Sequence, residues 1–100
     1  DAVLYTMGEI TIGANSVVSQ KCYLCTGSHD FMSQHFDITA SPIVIGEKCW
    51  LATDVFVAPG VSVGDGTVVG ARSSVFKSLP ANKVCRGNPA VVIRERVETD

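Results

Sequence analysis

The chain repeats itself every six residues. Every sixth position from Ile12 gives Ile12, Val18 and Leu24, and after a break the series resumes as Ile45, Leu51, Val57, Val63, Val69 and Val75. All nine are Ile, Leu or Val, types that fill about a quarter of the chain, so chance would produce the series roughly once in a few hundred thousand trials. The residue after each aliphatic is small: Gly13, Ser19, Cys25, Gly46, Ala52, Ala58, Gly64 and Gly70, until Phe76, where the repeat decays. The residue four places on is small or β-branched: Ser16, Cys22, Ser28, Cys49, Val55, Val61, Thr67 and Ser73, until Leu79. A six-residue period predicts a parallel β-helix in which the aliphatics fill the interior and the small residues permit tight corners.

Three hexads make one triangular coil, which places coils at 12–29, 45–62 and 63–80. Residues 30–44, "DFMSQHFDITASPIV", form one excursion between the first two coils, with Ile43 and Val44 leading back into the wall. A solenoid that interrupts itself once, at a corner, does so for function or assembly. Residues 1–11 hold part of an earlier coil in weaker register. After Pro80 the segment "ANKVCRGNPAVVIRERV" leaves the prism, with Gly87, Asn88 and Pro89 marking its turn. Its last stretch is open between an extended strand and a short helix.

One hundred residues make one domain, 1–100, with a modest core that a solenoid or an oligomer helps to stabilise. Hydrophobic residues at 46% against 18% charged exclude a disordered segment. No apolar run spans a bilayer and no signal peptide is visible, so the chain reads as soluble and cytoplasmic. It begins at Asp1 rather than Met, which reads as a fragment lacking an upstream segment. A net charge of −2 argues against a general nucleic-acid binder. Between Asp65 and Glu95, however, there is no acidic residue, while Arg72, Lys77, Lys83, Arg86 and Arg94 fall there. Such a strip suits a small polyanion such as a nucleotide cofactor, or serves as a solvated face. Cys22 and Cys25 form a lone CxxC without a second pair, a weak metal signal. Cys22, Cys25 and Cys49 fall in the small slots of the repeat, so they read as packed free thiols.

The hexads, "CTGSHD" before the excursion, "IGEKCWLA", "VFVAPGVSVGDGTVVGARSSV" and the terminal "RGNPAVVIRERV" together resemble the hexapeptide-repeat sugar O-acetyltransferases. Within them the chain is most similar to the branch acetylating exopolysaccharide intermediates, as in colanic acid synthesis, and also to galactoside, maltose and nodulation acetyltransferases. The resemblance covers residues 10–97. It implies a left-handed β-helix, against the usual right-handed crossover rule, and a homotrimer binding acetyl-CoA in clefts between subunits. Members commonly carry an N-terminal segment that contributes to the acceptor pocket, a segment absent here.

Acyl transfer from a thioester to a sugar hydroxyl needs a base for the hydroxyl proton and donors for the tetrahedral oxyanion. His29 ends the first coil where the chain turns into the excursion, and it matches the family's catalytic histidine. Asp30 either orients the ring, contacts the acceptor or is a solvated turn carboxylate. His35 reads as a surface or interface residue, and two histidines cannot supply the three-His metal site of carbonic anhydrases of similar fold. By resemblance Trp50 lines the cleft; it lies on a different corner from His29, so the two meet across subunits. Gln20, Thr53 and Ala71 share one register position and stack along one prism edge. Ala52, Thr53 and Ala71 match family positions that contact CoA, and Lys77 and Arg86 are expected to pair with its phosphates. Two other readings stand: an N-acyltransferase on a nucleotide-linked amino sugar, and a noncatalytic trimeric β-helix that only binds.

Overall fold

The structure, a computed structural model, describes residues 3–5, 8–29 and 38–97. Among the described residues fourteen strands follow one another: β1 (Val3–Tyr5), β2 (Ile10–Ile12), β3 (Val17–Val18), β4 (Tyr23–Cys25), β5 (Gly27–His29), β6 (Ile38–Ala40) and β7 (Ile43–Ile45). Then come β8 (Trp50–Leu51), β9 (Phe56–Val57), β10 (Ser62–Val63), β11 (Val68–Val69), β12 (Ser74–Val75), β13 (Lys83–Gly87) and β14 (Ala90–Glu95). Each short strand is one side of a coil. Strands β2, β7 and β10 form a first wall, β3, β8, β11 and β13 a second, and β1, β4, β9 and β12 a third, all in parallel register. The aliphatic series lines up across coils, with Ile12 beside Ile45 and Val63, Val18 beside Leu51 and Val69, and Leu24 beside Val57 and Val75.

The corners explain the small residues. A Cβ on Gly13 would lie 2.6 Å from the backbone of Gly46, and one on Gly64 would lie 2.5 Å from the backbone of Ala81. On the first two edges the chain turns where a residue enters the left-handed region three places after the inward aliphatic: Asn15, Lys48, Gly66 and Asn82 on the first, and Lys21, Asp54 and Arg72 on the second; Gly60 does the same on the third. Asn and Asp tolerate that region, whereas Lys and Arg occupy it at a cost that stacking of the coils repays. The fourth position carries the staples between coils. Ser16 Oγ donates to the Gly46 carbonyl (2.6 Å), Cys22 Sγ to that of Ala52 (3.0 Å) and Cys49 Sγ to that of Gly64 (3.1 Å). Cys22 and Cys49 are free, buried thiols, and Cys25 is free and half-buried.

Three expectations need correction. The excursion has a β-stem: β5 and β6 pair antiparallel from Gly27–Ala40 to His29–Ile38, and Ile43 and Val44 are already wall residues beside Ile10 and Thr11. The pattern loses its phase here because hairpin pairing is set by the partner arm and not by the hexad. Second, the chain does not leave the prism after Pro80. Leu79 bridges to Val63 in the first wall, and β13 adds a further rung to the second wall, with Cys85 fully buried beneath Val69. Sixteen residues separate Val63 from Leu79 and Val69 from Cys85, where eighteen separate Val63 from Ile45 and Val69 from Leu51. The repeat therefore drops two residues at Phe76–Leu79 and resumes, and Asn82 makes the usual corner three places after Leu79. Third, Ile12 and Val18 are not enclosed. Ile12 is 40% exposed, because among the described residues no strand stacks over β2 or β3, while Leu24 beneath β1 is fully buried.

The terminal stretch is extended: β14 returns antiparallel on β13, with a register shift between Val84 and Cys85.

Candidate active site

His29 is the last residue of β5, at the point where the hairpin stem runs outward beyond the third wall. The base of that stem is held by Thr26, which is fully buried. Its Oγ1 accepts from the Gly8 N–H (2.8 Å) and its carbonyl accepts from the Ser41 N–H (3.0 Å), which ties the outgoing and returning arms to the prism. Asp30 and His35 lie outside the described residues.

The second edge gathers the proposed cofactor track. Gln20, Thr53 and Ala71 stack there, the Asp54 N–H donating to the Gln20 carbonyl (3.1 Å) and the Arg72 N–H to that of Thr53 (2.9 Å). Ala52 and Thr53 are half-buried and Ala71 is exposed, so the edge presents a shallow path of small side chains. Arg72 lies on this path, and Arg86 sits at its foot, its Cβ 3.1 Å from where a Cβ on Gly70 would sit. Small residues on an edge that also carries Arg72 and Arg86 suit an extended, phosphate-bearing molecule.

Lys77 is elsewhere. It follows β12 of the third wall, so it belongs to the third edge, one corner away from Ala71 and Arg86. Trp50 sits on the outer face of the second wall between Val17 and Val68, 46% exposed, its Nε1 donating to Ser19 Oγ at 3.4 Å. Within one chain, Trp50 and the small-residue path thus share the second wall and its edge, whereas the His29 stem leaves from the far side of the third wall.

Two features escaped sequence reasoning. Tyr23, Phe56 and Phe76 form a ladder on the outside of the third wall, with successive ring centroids 5.8 Å apart. Tyr23 and Phe56 each immediately precede an inward aliphatic, which was the available signal. Arg96 crosses back to the first edge, which no local pattern announces. Cys85, buried against wall residues, has its thiol pKa raised by loss of solvent, an effect partly offset by the charge of Lys83.

Residues 42–77 match the bacterial transferase hexapeptide (six repeats) family. All 100 residues align, 85% identical, with 55% of a protein of Escherichia coli (strain K12) named "Putative colanic acid biosynthesis acetyltransferase WcaF". The chain carries the hexapeptide repeats of the bacterial transferases and resembles an acetyltransferase along its whole length.

Two solved structures of the hexapeptide-repeat acetyltransferases carry the same fold. A galactoside acetyltransferase in complex with coenzyme A superposes at a TM-score of 0.90 and 32% identity, covering 99% of this chain and 51% of that one. A hexapeptide-repeat acetyltransferase of Vibrio cholerae complexed with acetyl coenzyme A superposes at 0.90 and 28% identity, covering 97% and 55%. The three parallel walls are stacked as in a left-handed β-helix. The chain spans about half the length of the curated relatives it matches. Among the described residues no helix is long and apolar enough to cross a membrane.

Proposed function

We propose that this chain is the β-helix domain of a cytoplasmic, acetyl-CoA-dependent O-acetyltransferase whose acceptor is a hydroxyl of a sugar or exopolysaccharide intermediate. The observation that carries the proposal is 85% identity, over every residue of the chain, to the protein named for colanic acid biosynthesis. The second edge supports the donor: its small side chains let an extended thioester arm approach the backbone, and Arg72 and Arg86 supply charge for phosphates. His29 is the proposed general base. Its neutral imidazole takes the proton of the acceptor hydroxyl as that oxygen attacks the acetyl carbonyl, then returns the proton to the departing thiolate. Transfer is direct, without an acyl-enzyme, because Cys22, Cys49 and Cys85 are buried in the prism and Cys25 donates its thiol to the Gly27 carbonyl.

The active unit is proposed to be a homotrimer. Trp50 and the second edge lie apart from the His29 stem within one chain, so a site using both draws them from neighbouring copies. The exposed outer faces, Val17 and Trp50 on the second wall and Tyr23 and Phe76 on the third, support such packing. In that arrangement Trp50 and Asp30 contact the acceptor, and Lys77 joins the phosphate contacts from the third edge.

The test is release of the CoA thiol from acetyl-CoA across a panel of sugar and glycan acceptors with the full-length protein. Acceptor-dependent release that falls about 10²–10⁴-fold in His29→Ala is expected for a positioned base. Release that is unchanged in His29→Ala overturns the base assignment.

A further inference from the structure

The first edge carries a column of carbonyls that the coil-to-coil ladder leaves over. At three of its corners the left-handed residue gives its N–H to the coil before: Lys48 to Ala14 (3.0 Å), Gly66 to Glu47 (2.7 Å) and Asn82 to Asp65 (2.8 Å). The carbonyls of Lys48, Gly66 and Asn82 take no part in that ladder. Arg96 collects all three. Its backbone N–H donates to Asn82 (2.9 Å), and its Nη1 donates to both Gly66 and Lys48 at 2.8 Å. One residue therefore spans three successive coils.

Arg96 directly follows β14, which pairs with β13 at the edge of the second wall. Five of its six residues are exposed, and its pairing with β13 runs from Lys83–Glu95 at the first edge to Arg86–Val91 and Gly87–Ala90 at the second. The hairpin is thus fastened at two places. At the tip, the Gly87 N–H donates to Ser73 Oγ (3.0 Å) and the Cys85 carbonyl accepts from Gly70 (2.8 Å). At the base, the Lys83–Glu95 ion pair and the Arg96 clamp hold the return strand. Arg86 lies within the tip fastening, between Cys85 and Gly87, its Cβ against Gly70 and so beside Ala71 on the small-residue path.

We infer that Arg96 is a positioning residue: by gripping the first edge, it keeps the β13–β14 hairpin seated and so holds Arg86 at the foot of the cofactor path. This rests on the reading of that path as the acetyl-CoA site and of Arg86 as a phosphate contact. A guanidinium suits the clamp because its planar donors satisfy carbonyls of two coils at once, which an ammonium on a flexible stem does less well. A purely structural clamp would affect every substrate equally. A clamp acting through Arg86 affects only a donor that bears phosphates.

The experiment compares steady-state kinetics of full-length wild type, Arg96→Met, Arg96→Lys, Arg86→Gln and the Arg96→Met/Arg86→Gln double variant. The donors are acetyl-CoA and phosphate-free S-acetylpantetheine, and thermal melting confirms that each variant is folded. Arg96→Met and Arg86→Gln are each expected to raise KM for acetyl-CoA about tenfold, the loss of one charged contact. The double variant is expected to be no worse than either single change, Arg96→Lys to recover part of the loss, and KM for S-acetylpantetheine to stay at the wild-type value throughout. If Arg86→Gln raises KM and Arg96→Met does not, or if Arg96→Met impairs both donors alike, the positioning role is overturned while the Arg86 assignment stands. Unchanged KM in Arg86→Gln overturns the phosphate assignment and the positioning role with it.

Discussion

The side chain of Thr67 joins two coils: its hydroxyl donates to the Pro80 carbonyl at 2.5 Å and accepts from the Lys83 N–H at 3.2 Å. It does so across the place where the repeat loses two residues, so it fastens the shortened coil to the regular one above. Thr67 is fully buried. Thr67→Val keeps the shape but takes the partner from the part-buried Lys83 N–H and Pro80 carbonyl, an expected loss of about 1 kcal/mol in denaturant unfolding. Thr67→Ser is expected to retain most of the stability.

Two glycines at equivalent repeat positions are expected to differ in tolerance. A Cβ on Gly46 would lie 2.8 Å from the Asp65 nitrogen and 3.0 Å from its Cα, against backbone that cannot yield without breaking the stack. A Cβ on Gly70 meets first the Arg86 Cβ at 3.1 Å, in a hairpin with room to shift. Gly46→Ala is expected to cost about 3 kcal/mol and Gly70→Ala about 1 kcal/mol. Paired thermal melts check the order, and equal costs would contradict this account of the corners.

Arg72 turns the second edge at φ 63°, exposed to solvent. A β-branched residue is disfavoured there more strongly than an unbranched one. Arg72→Val is expected to destabilise by about 1–2 kcal/mol, whereas Arg72→Asn leaves stability within about 0.5 kcal/mol of wild type. Since both remove the same charge, chemical denaturation of the pair isolates the backbone effect.

Cys85 sets an alkaline limit. Burial raises its pKa above the ordinary thiol value of 9.0, so the folded state favours the protonated thiol. The sign follows from linkage: this contribution is complete below the unfolded-state pKa and is lost as pH rises through the folded one. Stability is therefore expected to fall above about pH 9, and Cys85→Ala to flatten that decline although it lowers stability at neutral pH. Unfolding free energies measured from pH 7 to 10.5 give both slopes.

Most of the prism was legible in the residues. The inward series Ile45, Leu51, Val57, Val63, Val69 and Val75, the corner glycines and the packed Cys22 and Cys49 all stand where the six-residue period puts them. The placement of Gln20, Thr53 and Ala71 on one edge follows from the same register. The strand Lys83–Gly87 is not legible as a rung because Phe76 and Leu79 interrupt the pattern before it resumes two residues early. The end of the cofactor track holds Arg86 but not Lys77, which a corner separates from it.

What the sequence determined by itself was the rung. One bulky aliphatic pointing inward and one corner too tight for a Cβ are demands made within six residues, so they recur in the sequence at that period. What only the tertiary structure decided was how the coils end and what crosses them. The phase jump at Leu79 and the reach of Arg96 to Lys48 and Gly66 depend on residues 16 to 48 positions apart. Those contacts answer to the stacking of whole coils. A pattern confined to one hexad does not encode them.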